Sequence, residues 1–260
     1  MEPTFAMTII TPSLNQKKYI ERTIQSVLNQ VVDFPFEYII MDGGSTDGTL
    51  DVLQKYGEKT KWISQKDRGQ SDAINQGIGS SHGKIVAWLN SDDIYLPGTL
   101  QKVKNLFDAF PDKHWLYGNC KMIDDRDREI RKSITCYKNL LSRRFNYNIL
   151  LLENFLSQPS VFFKKDLFNQ VGKLSVSLHF AMDFDLWVRF AQTGKPIVTR
   201  DDLACFRIQE NSKSAQNVRK LFAEQLEVHK HYDNRKVMVG LHRLSIRKTL
   251  AFYHLITITG

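Results

Sequence analysis

Four short apolar runs in the first half of the chain each end in a polar turn, and three of those turns are rich in aspartate. They are MTIITPSLN (Met7–Asn15), EYIIMDGGSTDGT (Glu37–Thr49), KWISQKDRGQSDAIN (Lys61–Asn75) and KIVAWLNSDD (Lys84–Asp93). Short, mostly apolar runs of this kind suit strands buried on both faces of a parallel sheet. Ligands of such sheets bind beyond the carboxyl ends of the strands, so these turns are expected to converge on one rim. That rim would gather Asp42, Asp67, Asp72, Asp92 and Asp93. So much negative charge needs a cation or tightly held hydrogen-bond donors beside it. A metal-assisted enzyme is the leading expectation.

Helical segments alternate with these runs. The pattern predicts a helix from an Asn15 cap through Gln30, with Ile20, Ile24, Val27 and Leu28 on one face. Further helices are predicted after Thr46, over Ser71–Ile78 and over Gly98–Phe110. This order implies right-handed crossovers and an α/β, doubly wound, Rossmann-like and mostly parallel sheet. After Pro111 the pattern changes. WLYGNCKMI and the stretch Ile130–Tyr137 read as strands of a mixed region, separated by the charged turn Asp124–Arg128. A helix over Asn148–Phe155, a strand at Ser160–Phe163, a helix over Lys165–Val171 and an Asp183-led helix follow. Arg219–His231 and Arg235–Ile256 read as two terminal helices.

At 260 residues the chain can build one sizeable core, or a core with a small attachment. Cys120, Cys136 and Cys205 fit neither a disulfide framework nor a zinc pattern, so a reducing cytoplasm is the expected setting. MEPTFAMTIITP has no basic region and runs straight into the first strand, which argues against a signal peptide. No apolar stretch approaches the roughly 20 residues of a membrane span, so the chain is expected to be soluble or peripheral. Of the net charge of +8, most falls beyond Asn211, where nine cations face three anions. A basic tail attracts anionic lipid, nucleic acid or an acidic partner; solvated helix faces are the equal alternative.

The motifs exclude several chemistries. TPSLNQ has no glycine where a dinucleotide fingerprint needs one, and no P-loop pattern occurs. Ser45–Leu50 resembles the haloacid-dehalogenase phosphatase motif, but Ser45 stands where the nucleophilic aspartate is required. Gly43, Gly44 and Gly48 supply turn positions, and Ser45, Thr46 or Asp47 can start the next helix. Adjacent Asp92 and Asp93 are costly together without a cation; Mg²⁺ or Mn²⁺ would relieve them and bridge to a diphosphate. A turn in which Asp93 caps a later helix is the plainer alternative.

Taken in order, T-P-S-x-N, M-D-G-G-S-T-D-G-T, D-x-G-x-S-D-A-x-N-x-G, L-N-S-D-D and M-D-F-D-L-W resemble the family 2 glycosyltransferases of GT-A fold, over about Met7–Ser214. The resemblance implies a nucleotide-activated sugar donor, Mn²⁺ or Mg²⁺, and inversion at the anomeric centre. It divides the chain into a nucleotide-sugar-binding half (1–110), an acceptor-binding half of the same domain with a small mixed sheet (111–214), and a basic helical tail (215–260). By the same resemblance Thr11, Pro12, Ser13 and Asn15 line the base and ribose, Asp42 accepts from a uracil ring, and Asp67 sits at the ribose or base edge. Gly69, Gln70, Asp72 and Asn75 belong to the same donor set, as do Asn90 and Ser91. Asp92 and Asp93 match the metal and ribose motif, with Asp93 the expected direct ligand. Gln158 and Pro159 border the sugar pocket, Arg207 lies in a loop closing over the diphosphate, and Asp183 is the general base.

Three positions depart from the family pattern. Asn90 replaces an aspartate, Leu14 stands where an aromatic stacks on the base, and Gln209 replaces a histidine. Without the resemblance, Asp183 reads as a helix cap, Asp185 as first-turn charge or acceptor contact, and Trp187 as core. UDP is the favoured nucleotide. The acceptor is expected to be a glycan or lipid-linked, with the tail touching the inner face of the cytoplasmic membrane and Leu250–Ile258 adding an apolar face. Two other readings compete. A sugar-phosphate nucleotidyltransferase would release pyrophosphate and needs a Gly-rich basic loop that TPSLNQ lacks. A nucleic-acid-binding module would work through the tail, which has few aromatics to interleave with its cations; nucleic acid is not an expected partner.

Overall fold

Residues 5–209 and 217–258 are described in this computed structural model, with side chains placed as far as Arg247. The first half alternates as its pattern dictates: β1 (Met7–Ser13), α1 (Ile20–Leu28), β2 (Phe36–Asp42), α2 (Thr49–Lys55), β3 (Lys61–Ser64), α3 (Gln70–Gly79), β4 (Ile85–Trp88), a short β5 (Ile94–Tyr95) and α4 (Thr99–Ala109). The second half runs β6 (Trp115–Ile123), α5 (Lys132–Ser142), α6 (Tyr147–Leu152), a 3₁₀ turn (Gln158–Ser160), β7 (Val161–Lys164), α7 (Lys165–Val171), α8 (Met182–Thr193) and β8 (Ile197–Arg207). Helices α9 (Val218–Tyr232) and α10 (Lys236–Ile258) complete it.

All eight strands share one sheet, in the order β3-β2-β1-β4-β7-β6-β8-β5. β3, β2, β1 and β4 pair in parallel. β7 adds antiparallel to β4 and β6 antiparallel to β7, β8 runs parallel to β6, and β5 closes the edge antiparallel to β8. The mixed region thus continues the parallel one. Register aligns the carboxyl ends: Ser13 lies opposite Asp42, and Asp42 opposite Ser64. The polar turns therefore leave the sheet at one level.

Both faces of the sheet are covered, which explains the unbroken apolar runs. Ile9 and Ile10 are each fully buried, one in each of two cores, and Phe162 and Phe163 of β7 divide the same way. One core holds an aromatic cluster in which Trp88 of β4 stacks on Trp187 of α8 with centroids 5.3 Å apart, while Phe190 packs against Phe163 and Trp187. Such pairs add roughly 0.5–1.5 kcal/mol beyond area burial. They hold α8 against the end of β4.

The structure departs from the sequence pattern in several places. α1 begins at Ile20, because Asn15 adopts φ 53° and uses its side chain elsewhere: Oδ1 accepts from the Thr46 amide while the Asn15 amide donates to Ser45 Oγ. Asn15 ties two loops together and caps no helix. Ile130–Tyr137 is mostly helical, part of α5, despite its β-branched composition. The deciding signal is spacing. Ile134, Tyr137, Lys138 and Leu141 recur at helical intervals, the first three on a cavity and the last against the core. β8 is an eleven-residue strand whose central Arg-Asp-Asp hid it, and it carries Arg207 on its last residue, ahead of the expected loop. The remainder of that loop, through Ser214, and the side chains of Leu250–Ile258 lie outside the described residues.

Candidate active site

A cavity of about 1410 Å³ opens beyond the carboxyl ends of β1 and β4, walled on the far side by α5, α8, α9 and α10. Ligand pockets commonly span about 300–1,000 Å³, so this one has room for two reactants. Pro12, Ser13 and Asn15 reach it from the end of β1, and Asp67, Gly69 and Gln70 from the entry to α3. Asn90, Ser91 and Asp92 follow β4; Gln158, Asp183 and Arg207 come from the second half. Twelve of the expected residues are thus brought to one cavity. Leu14 lines it too, more than half exposed. Among the wall residues, Ser13 Oγ, Trp88 Nε1 and Asn154 Oδ1 are buried polar atoms without a protein partner, an arrangement that favours a bound polar ligand.

Besides Pro159, buried in the 3₁₀ turn rather than on the cavity, five expected residues lie behind the wall, and each has a structural occupation. Thr11 is fully buried and shares a 3.0 Å hydrogen bond with the Tyr38 hydroxyl. Asp42, expected to meet a base, is almost wholly buried; its carboxylate accepts from the Gly44 and Ser45 amides and from the Ser45 and Ser64 hydroxyls. It is the clasp of the Gly-rich turn. Asp72 pairs with Arg68, which with its other donors holds the carboxyl down to about 2. Asn75 exchanges both amide hydrogen bonds with the backbone of Leu174, fastening α3 to the segment before α8.

Asp93, the expected direct metal ligand, is fully buried. Its carboxylate accepts from the Arg207 amide at 2.8 Å and from Asn90 Nδ2 at 3.2 Å. Burial and the neighbouring Asp92 charge push its carboxyl well above the usual range. Asp92 is the member of the pair that faces the cavity. Burial raises it too, and Gln209 Nε2, bonded to Asp92 Oδ2, opposes the rise together with Arg207. Asn90 now has a physical reason. Its amide donates to Asp93 and to Gln158 Oε1 while its oxygen accepts from Gln70, and Gln158 in turn donates to the Trp88 carbonyl. A third carboxylate at position 90 would lose both donated bonds and face Asp93 with like charge.

No group of three or more His, Cys, Asp or Glu side chains among the described residues could hold a metal. A preformed all-protein cage is therefore not what these residues offer. They do fit an ion held by one carboxylate, Asp92, together with substrate diphosphate oxygens and water, the usual arrangement for Mg²⁺. The donor set favours it, since Asp92 offers a hard carboxylate oxygen on the cavity wall beside Asn90 and Ser91.

Asp183 sits in the first turn of α8 and leaves the capping to another residue. α8 has no side-chain cap of its own, and Asp183 Oδ1 only accepts from the Phe184 amide. The cap arrives from α9: Glu224 accepts from the backbone amides of His179, Phe180 and Ala181 at 3.1, 2.6 and 3.0 Å. A second strut joins the same helices, Tyr232 donating to Asp185, which also pairs with Arg189. Asp183 is left half-buried on the cavity wall, its carboxyl raised to about 6 by burial, with the Phe184 amide and Lys138 drawing it back. Lys138 of α5 donates to Ser157 Oγ and also lines the cavity. Asp185 and Trp187 are structural, the latter fully buried.

Residues 8–172 match the profile of Glycosyl transferase family 2. The chain belongs to that family. An uncharacterized glycosyltransferase of Rickettsia felis is 27% identical over 218 residues, which cover 81% of this chain and 36% of that protein. Chondroitin synthase of Escherichia coli is 25% identical over 249 residues, 93% of this chain and 33% of that one. The chain thus spans about a third of the length of each. S. aureus TarS 1–349 in complex with UDP-GlcNAc superposes with TM-score 0.66 at 20% identity, covering 86% of this chain and 65% of that chain. Mannosyltransferase PcManGT from Pyrobaculum calidifontis, in complex with GDP-Man and Mn²⁺, gives TM-score 0.68 at 18% identity, covering 98% and 76%. The fold is GT-A type.

For this family 2 transferase, sequence reasoning missed Lys138, Glu224 and the contribution of α9 and α10 to the cavity wall. Lys138 sat just past a stretch read as strand. Glu224 stood out only as one of three anions in a basic tail, a signal without a position. If Glu224 braces the helix that carries Asp183, Glu224→Ala should lower kcat at least tenfold with nucleotide affinity little changed, and Glu224→Gln should recover part of the loss. Steady-state kinetics beside nucleotide titration would check this; equal kcat in all three forms would refute it.

Proposed function

We propose that this family 2 glycosyltransferase moves a sugar from a nucleotide-diphosphate sugar to an acceptor hydroxyl with inversion, with Asp183 as the base. The observation that carries the reading is a half-buried carboxylate with a raised pKa sharing one cavity with the nucleotide-side residues. A sugar hydroxyl is too weakly acidic to attack unaided at neutral pH. Asp183 takes its proton as the acceptor oxygen bonds to the anomeric carbon, and the bond from that carbon to the diphosphate breaks on the opposite side. One base and one leaving group give a single displacement, hence inversion.

Ser13, Asn15 and Asp67 are positioned for the nucleoside and Gly69 and Gln70 for the sugar-diphosphate, with Asn90 and Gln158 at the donor sugar. UDP is the favoured nucleotide; the structural neighbours TarS and PcManGT hold UDP-GlcNAc and GDP-Man. Asp92 would hold a divalent ion, Mn²⁺ or Mg²⁺, which when bound supplies charge stabilisation to the departing diphosphate. Asp42 and Asp93 support the loops that carry these groups. Nucleotidyl transfer lacks support, since no basic Gly-rich loop follows β1.

The acceptor is read as a cell-surface glycan or glycolipid precursor at the inner face of the cytoplasmic membrane. The support is α10. Val237, Leu241 and Leu244 form an exposed stripe at positions i, i+4 and i+7, flanked by exposed Lys236, Arg243 and Arg247, and the helix contains no acidic residue. Apolar residues bordered by cations suit an anionic bilayer surface. No helix among the described residues is long and apolar enough to cross a membrane.

Four outcomes are expected. Asp183→Asn should cut kcat by about 10²–10⁴-fold while UDP still stabilises the protein to heat. In the wild type kcat/KM should rise with pH through about 6, because the base works only when ionised, and level off above; wild-type turnover by the variant would dismiss Asp183. Chelation should abolish transfer, and Mn²⁺ should increase the thermal shift given by UDP in the wild type but not in Asp92→Asn. In flotation assays, vesicles containing anionic lipid should carry the wild type, and Leu241→Glu/Leu244→Glu should remain at the bottom.

A further inference from the structure

The cavity has an apolar side that the donor does not account for. On α9, Val218, Leu221, Phe222 and Gln225 line it at positions i, i+3, i+4 and i+7. The same stripe continues as Val228, His229 and Tyr232, the first two buried and Tyr232 packed against the core. An amphipathic helix normally spends its whole apolar stripe on the core. Here the C-terminal half does so and the N-terminal half is left on the cavity, joined by Ile134 of α5 and Ile246 of α10. Val218, Leu221, Phe222, Ile134 and Ile246 belong to neither hydrophobic core, and all are only partly buried.

The place of this surface sets its use. Glu224, which caps the amides just before Asp183, lies one turn after Leu221 on the same face of α9. The apolar wall therefore adjoins the base, across the cavity from the polar groups at the ends of β1 and β4. A saccharide alone would leave these side chains facing water or hydroxyl groups, which wastes the burial available at about 25 cal/mol per Å². Resting on the reading that Asp183 deprotonates the acceptor, we propose that the acceptor is an amphiphile. Its hydroxylated head lies at Asp183, and its hydrocarbon portion lies on Leu221, Phe222, Ile134 and Ile246. This selects a lipid-linked acceptor over a free glycan.

Matched alkyl glycosides isolate the hydrocarbon term. Methyl and n-octyl β-D-glucoside, the latter kept below its micelle concentration, would be titrated calorimetrically into the full chain with and without UDP. The octyl compound is expected to bind at least tenfold more tightly than the methyl one. Leu221→Ser/Phe222→Ser should erase that difference, and Val31→Ser, at an exposed residue away from the cavity, should leave it intact. Equal binding of the two glycosides to the wild type, or a preference that survives Leu221→Ser/Phe222→Ser, would overturn the proposal. UDP-induced thermal stabilisation, recorded in the same samples, reports on the donor separately, so loss of the donor reading and loss of the amphiphile reading give different results. A melting temperature for Leu221→Ser/Phe222→Ser within a few degrees of the wild type excludes misfolding as the cause.

Discussion

The cavity is assembled around one buried guanidinium. Arg207, the last residue of β8, has almost no exposed surface. Its amide donates to the Asp93 carboxylate and its Nε to the Asp92 carbonyl, Nη1 reaches the Asp124 carbonyl, Nη2 pairs with Asp127, and its plane lies over the Tyr19 ring. Four segments distant in sequence meet there: the turn after β4, the end of β8, the turn after β6 and the entry to α1. Thr23 of α1 adds a hydrogen bond to the Asp93 carbonyl. Desolvating a guanidinium is costly, and removing one partner from such a cluster leaves a buried charge exposed to the full penalty. The acidic rim is therefore stable because much of its charge is already spent inward, leaving Asp92 as the carboxylate of the pair that can meet a ligand.

This division between inward and outward carboxylates marks the limit of what the sequence revealed. The unbroken apolar runs required strands covered on both faces, and the parallel half of the sheet has that form. The convergence of Ser13, Asp67, Asn90 and Asp92 on one cavity was legible because strand ends of a parallel sheet share a rim, whereas Asp183 was placed there only by the family resemblance. Which of two adjacent aspartates faces outward was not, because in the turn after β4 it depends on the β8 amide that Asp93 meets, more than a hundred residues away. Asp42 misled for a related reason. A carboxylate ending a strand before Gly-Gly-Ser can bind a ligand or close the turn, and only the donors around it decide. The Ile130–Tyr137 segment shows propensity yielding to periodicity, since the β-branched residues there serve a helix with one face on a cavity.

The second half of the site depends on helix packing. Trp88 on Trp187 holds α8 against the end of β4, and Glu224 and Tyr232 hold it from the opposite side. An unsatisfied helix N-terminus ordinarily recruits a local Ser, Thr or Asp; here the acceptor comes from forty residues onward, which leaves Asp183 on the cavity wall without a capping role. Its raised pKa follows from the same arrangement, a carboxylate surrounded by packed helices with Lys138 as its main counter-charge.

Because α9 follows every strand of the sheet, the carboxylate that caps the amides ahead of α8 is synthesised only after β8. Along the growing chain, the helix that carries Asp183 is therefore anchored at its amino end later than any strand it packs beside.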